Sequence, residues 1–163
     1  MCRFCAEIGL FCDLEHVLAE NPIKNIRLKA MDFLARREYS HKELKQKLFE
    51  RFPDSTEIEQ VLDALIKDGL QSDARFADSF FRLRVNAGYG PNYIRAELRQ
   101  RGIDEVVVAE VFSEQGVDWV EAARQVFDKK FSGVDLTDQK ARAKCMRFMQ
   151  YKGFTFDQIK DLL

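Results

Sequence analysis

Four residues near the start of the chain have the donor types of a zinc site. They are Cys2, Cys5, Cys12 and His16, in the pattern C-x2-C-x6-C-x3-H. The order and spacings fit no zinc module, and three cysteines crowded into twelve residues do not make a secreted disulfide framework. No metal is expected. His16 and His41 are the only histidines, and neither belongs to a nucleophile–histidine–acid set. No glycine-rich phosphate loop is present. The expectation is a protein that is not an enzyme and uses no cofactor.

A second kind of chemistry lies in the arginines, whose planar forks match carboxylates and phosphates. Residues 82–103 hold five of them, Arg82, Arg84, Arg95, Arg99 and Arg101, against one acid, Glu97. Residues 104–121 then hold six acids and no base. The same alternation comes earlier. Residues 36–51 carry six bases, among them Arg36, Arg37, Lys42 and Lys45, against three acids, and residues 54–73 carry six acids against Lys67 alone. Between 122 and 152 there are eight bases and three acids. The net charge of −1 is therefore a sum of opposed bands. Two readings follow. The bands pair with one another as a solvated network that contributes little, or they run as a two-toned surface that docks on a partner bearing acidic protein and phosphate. On the second reading the candidate partner-binding residues are Arg36, Arg37, Lys42, Lys45, Arg82, Arg84, Tyr89, Arg95, Arg99 and Arg101.

The elements that must position these residues are helices. The chain is 46% hydrophobic with only eight Gly and three Pro, which disfavours a turn-rich β-fold. No apolar run is long enough to span a bilayer, and the N-terminal stretch, broken by Glu7 and Asp13, makes a poor signal peptide. A soluble, cytoplasmic protein is expected. Slid along itself by 50 residues, "YSHKELKQKLFER" at 39–51 lies over "YGPNYIRAELRQR" at 89–101. An offset of 51 lays "RGIDEVVVAEVF" at 101–112 over "KGFTFDQIKDLL" at 152–163.

The expected organisation is all-α: a poorly ordered leader at 1–23, then three-helix repeats at 24–72, 73–117 and 118–163, stacked into an elongated, curved body. Ser40 with Glu43 and Thr155 with Gln158 read as capping boxes, and 54–57 as a further cap. Gly69, Gly88 and Gly102 read as helix stops and Pro91 as a first helical residue. The valines of the segment after Asp104 leave a short strand open there. Val120, Ala123, Phe127 and Phe131 are expected to line one helix. Of the adjacent Phe80 and Phe81, one is expected to fill its own unit and the other to meet a neighbour.

"GYGPNYIRAELRQRGI" at 88–103, joined to "DGLQSDARFADSFFRLR" upstream, resembles the RecX family of bacterial recombination regulators over roughly residues 24–163. Gly88, Tyr89, Gly90, Pro91, Arg95, Glu97, Leu98 and Gly102 occupy motif positions. The resemblance implies three tandem three-helix repeats in a monomer that binds RecA and the RecA–DNA filament. It also implies restraint of filament growth, strand exchange, ATP hydrolysis and co-protease action. The alternative, from another class, is a helical or winged-helix-like module that binds DNA directly through the short helix after Gly90 and Pro91. Against it, the chain is not net basic and acidic bands flank each basic one, so at most a weak DNA contact is expected.

Overall fold

A computed structural model describes residues 21–163. Cys2, Cys5, Cys12, His16 and all but the last three residues of the expected leader lie outside the described residues. The chain forms nine α-helices over that span. They are α1 (Pro22–Leu34), α2 (His41–Arg51), α3 (Ile58–Lys67), α4 (Asp73–Asn86), α5 (Pro91–Gln100), α6 (Glu105–Gln115), α7 (Trp119–Phe131), α8 (Gln139–Tyr151) and α9 (Phe156–Ile159), the last running into a 3-10 turn at Lys160–Leu162. Among the described residues there is no strand, so no wing is built. The valine run at 106–108 is helical. Asp104 caps it by accepting from the Val106 N–H at 2.8 Å, and Val108 and Val111 are buried. Burial overrides the weak helix preference of β-branched residues.

Polar residues at the expected places start most helices. Ser40 accepts from the Glu43 N–H, and Thr155 donates its backbone N–H to Gln158 at 2.9 Å. Pro91 takes the first helical position of α5, and Gly69, Gly88 and Gly102 take left-handed φ just past α3, α4 and α5. Three details differ from expectation. The Glu43 carboxylate turns to Arg37 and Arg101. The stretch 54–57 gives α3 no side-chain cap, because the Ser55 hydroxyl donates to the Glu57 carboxylate instead. Val120 is exposed, while Ala123 and Phe127 are buried.

The helices bury three separate cores, one per unit. Leu44 and Leu48 of α2, Ile94 and Leu98 of α5, and Cys145 and Met149 of α8 occupy matching places and are all buried. The well-packed helix pairs all lie within one unit. Phe80 stacks on Phe76, whereas Phe81 meets Phe112 and Trp119 edge-on. Trp119 also packs against the third core, so Phe81 and Trp119 link the second unit to the third.

The middle helices of the units meet end to end. The carbonyls of the turn just past α8 accept from amides at the start of α5: Gly90 N–H to Lys152 O at 2.7 Å and Asn92 N–H to Gly153 O at 3.0 Å. Groups that a helix end leaves without partners are satisfied across the joint, and the negative end of one helix dipole faces the positive end of the next. This contact explains a glycine on each side. A Cβ on Gly90 would lie 2.6 Å from the Gly153 carbonyl and the Phe154 nitrogen, and one on Gly153 would lie 2.4 Å from the Tyr93 nitrogen.

The α5–α2 joint is equivalent but is made with side chains. The Ser40 hydroxyl donates to Arg101 O and the Lys42 ammonium donates to Gln100 O, each at 2.9 Å. The row runs α8, α5, α2. Past α2 stand Phe52, with φ −132°, and Pro53, in place of the left-handed glycine that follows α5 and α8. At the start of α8, Asp138 caps the helix by accepting from the Lys140 and Ala141 amides.

Candidate partner interface

Both joints are threaded by a ladder of alternating cations and rings. The Lys152 ammonium lies 3.9 Å from the centre of the Tyr89 ring. The Arg84 guanidinium is 5.7 Å from that ring and 4.8 Å from Phe80. Arg101 follows at 4.6 Å on Phe80 and reaches across the first joint to Glu43 at 3.2 Å. Glu43 holds Arg37, which lies 3.8 Å over Tyr39. Arg84 comes from the last turn of α4 and Tyr89 from the turn into α5, so Gly88 sets their separation. The Arg84 Nε is buried without a hydrogen-bond partner; its neighbours are the two ring faces, whose quadrupoles favour a cation. Tyr93 stacks on Tyr89 at 4.2 Å. Burial, and then the nearby Glu97 charge, push the Tyr93 hydroxyl above its ordinary value.

The ladder gathers Arg37, Tyr89, Arg84 and Arg101 from the sequence-derived set. The remaining candidates are engaged one by one. Arg36 pairs with Asp32, Lys45 with Glu59, and Arg82 with Asp78. Lys42 is tied to the first joint. Arg95 lies 3.9 Å over Phe112. Arg99 makes a two-pronged contact with Glu105 at 2.6 and 2.9 Å. Within the first two units most of the sequence candidates are therefore engaged inside the molecule, although Lys24, Lys47, Arg51 and Lys67 make no ion pair among the described residues. Helices α2 and α3 pack together, as do α5 and α6, and this brings the basic and acidic bands into mutual contact. Such exposed pairs are weak and exchangeable.

The Arg99 fork holds the Glu105 carboxyl below its ordinary 4.5 and raises Arg99 in turn. A depressed carboxylate stabilises the fold above its unfolded pKa, and that contribution vanishes as pH falls through the folded value. Both partners are 56% exposed, so the effect is small. Glu105→Gln is expected to melt slightly below the wild type at about pH 7 and to match it at about pH 2. Thermal melts at the two pH values check this.

The third unit differs. Lys129, Lys130, Lys140, Arg142, Lys144, Arg147 and Lys152 have no carboxylate within ion-pair distance among the described residues. Three of them, Lys129, Lys130 and Lys152, border a groove of about 590 Å³ at the second joint, with Val85, Val126 and Phe148 among its apolar walls. None of the seven was among the sequence candidates, although the excess of eight bases over three acids in 122–152 was the available signal. Among the described residues no cluster of His, Cys, Asp or Glu could hold a metal, and no helix is long and apolar enough to cross a membrane.

Three family models match in succession: the first RecX three-helix domain at residues 27–65, the second at 72–111 and the third at 117–163. The "Regulatory protein RecX" of Pseudomonas entomophila strain L48 is 44% identical over 138 residues, spanning 85% of this chain and 89% of that one. The chain belongs to the RecX family. The protein of the same name in Pseudomonas putida strain W619 is 42% identical over 147 residues, covering 90% of this chain and 94% of its own. Among solved structures, RecX from Lactobacillus salivarius superposes with a TM-score of 0.67 over 85% of this chain and 92% of its own, at 23% identity, a likeness of fold. A second structure, of regulatory protein RecX, gives a TM-score of 0.68 at 25% identity over 85% of this chain and 72% of that one.

The RecX motif residues now have physical roles. Gly90 admits the Gly153 turn, Pro91 starts α5, and Leu98 fills the second core. Glu97 holds Arg101, and Gly102 packs against Lys42.

Proposed function

We propose that this RecX-family chain binds RecA and the RecA filament on DNA. There it restrains filament growth, ATP hydrolysis, strand exchange and co-protease action. The observation that carries this reading is the row of three equivalent units. A row set by end-to-end joints offers several contacts at fixed spacing, which suits a partner that itself repeats. Family membership supplies the partner's identity. The chain acts in the cytoplasm as a monomer by occupying a surface, and it carries out no reaction of its own. The ladder residues Arg37, Arg84 and Tyr89 and, on the α6 side of α5, Arg95 and Arg99 make the contacts with RecA. Intramolecular pairs at Arg99 and Arg36 exchange for partner carboxylates or phosphates at little net cost.

The test follows RecA's ATP hydrolysis on single-stranded DNA as the chain is added. Inhibition is expected at ratios well below one chain per RecA, because blocking a filament affects many protomers at once. Paired substitution of Arg95 and Arg99 by Ala should weaken it. No inhibition even at equimolar amounts would refute the proposal.

A further inference from the structure

The first unit has an outward apolar patch that the other two lack. The buried pairs Ile26 and Ala30 of α1, Ala77 and Phe81 of α4, and Ala123 and Phe127 of α7 bring the first helices of the units into register. The exposed residues between and just past these pairs are Ser79 and Arg82 in the second unit and Gln125 and Asp128 in the third. In the first unit they are Leu28, 56% exposed, and Met31, 41% exposed. Leu28 also walls a groove of about 450 Å³ between α1 and the end of α2, with Phe52 and Arg51 on its other side. Arg51, and Lys24 one turn before Leu28, have no carboxylate within ion-pair distance among the described residues. The acid that lines the groove, Asp32, is held by Lys29 and Arg36.

The chain that enters α1 has matching chemistry. Residues 4–20 hold four acids and no Lys or Arg. Leu10, Phe11, Leu14, Val17 and Leu18 recur there at the spacing of one helical face. Asn21, at ψ 111° before Pro22, takes the chain off the α1 axis at once. We infer that residues 10–20 fold back along α1 and cover the patch of Leu28, Met31 and Phe52, with their acids set toward Lys24 and Arg51. A helix over that stretch would be about 16 Å long, enough to run beside three turns of α1. A segment joined directly to α1 is present at high effective concentration, which favours it over a second copy or a separate protein. The end unit of a row meets a neighbour on one side only, so its other side needs a cover of its own.

The test uses the purified full chain without RecA, so its result is independent of the RecA reading. Amides of residues 10–18 should exchange at least about tenfold more slowly than in a free peptide of that sequence, and Leu28→Gln with Met31→Asp should remove the protection. These are the residue types that the third unit carries at the same places. Both positions are exposed, and unchanged protection in α2 and α5 verifies the fold. A benzophenone side chain placed at position 31 should cross-link within one molecule to residues 10–20, at a yield independent of concentration. Free exchange over 10–18 in the wild type overturns the inference, as does protection that survives the double substitution. A cross-link between two chains that grows with concentration would give the patch to a second copy, and absence of any cross-link to 10–20 overturns the inference equally.

Discussion

Gly90→Ala should destabilise the chain by about 1–3 kcal/mol, the range for forcing a methyl into a packed contact. The position is unusual because its φ of −85° is one that alanine adopts freely, so the cost comes from the contact alone. The added Cβ would lie 2.6 Å from the carbonyl carbon and oxygen of Gly153 and from the Phe154 nitrogen. These are backbone atoms held in the turn after α8, so they can give way only by parting the joint. Parting it also loses the Gly90–Lys152 and Asn92–Gly153 hydrogen bonds, each worth about 1 kcal/mol. In a row of units each stabilised by its neighbour, loss of one joint separates the transitions on its two sides. Denaturant unfolding should therefore broaden or split, with the amides of α8 and α9 losing protection before those of α2 and α5. Gly69→Ala is the comparison, because nothing lies within 4 Å of its Cβ and only its φ of +68° is unfavourable. A Gly90→Ala variant as stable and as cooperative as the wild type would mean that the two glycines do not meet.

The units were legible in the sequence because their cores repeat. Leu44, Ile94 and Cys145 recur at nearly constant intervals, and helical spacing identifies them. Helix stops were legible for a similar local reason, since a left-handed residue past a helix end needs glycine. Gly90 stands before Pro91 in the sequence without a local reason. Its cause is a turn some sixty residues later, and no local rule points there. The charge bands illustrate the same limit. Counting showed which segments are basic, but pairing depends on which helices pack together. Lys45 and Arg99 thus turned out to face Glu59 and Glu105 of the following helices.

The two joints are unequal in a way that bears on movement. Across the second, backbone bonds to backbone and glycine meets glycine. Across the first, the bonds come from Ser40, Lys42 and Arg101 side chains, with Arg75 reaching back to Glu38 at 3.0 Å. Side chains can change rotamer more freely than a backbone turn can rearrange, so the first joint is the more adaptable of the two.

Arg101 is the central group of that joint, and Arg101→Ala is expected to cost about 2–3 kcal/mol. Its guanidinium bonds Glu97 at 2.6 Å and Glu43 at 3.2 Å, all three side chains being only 21–24% exposed. Truncation leaves both carboxylates mostly covered and short of a cation, with Arg37 as the remaining partner of Glu43. Hydrogen bonds to charged groups are each worth about 1.5–3 kcal/mol, and the lost contact with the Phe80 ring adds up to about 1; relaxation of the freed carboxylates toward water offsets part of this. Arg101→Lys keeps the charge but loses the fork that serves two carboxylates at once, so it should recover less than half. Combined with Glu43→Gln, the alanine variant should show coupling of about 1 kcal/mol. Arg99→Ala, at an exposed pair, should stay within about 0.5 kcal/mol of the wild type. Denaturant midpoints for these variants check the whole set, and equal midpoints for Arg101→Ala and Arg99→Ala would place Arg101 on the surface with the rest. The consequence reaches the binding experiments. A RecA contact inferred from Arg101→Ala would confuse a lost interface with a loosened joint, whereas Arg95 and Arg99 can be removed with both joints intact.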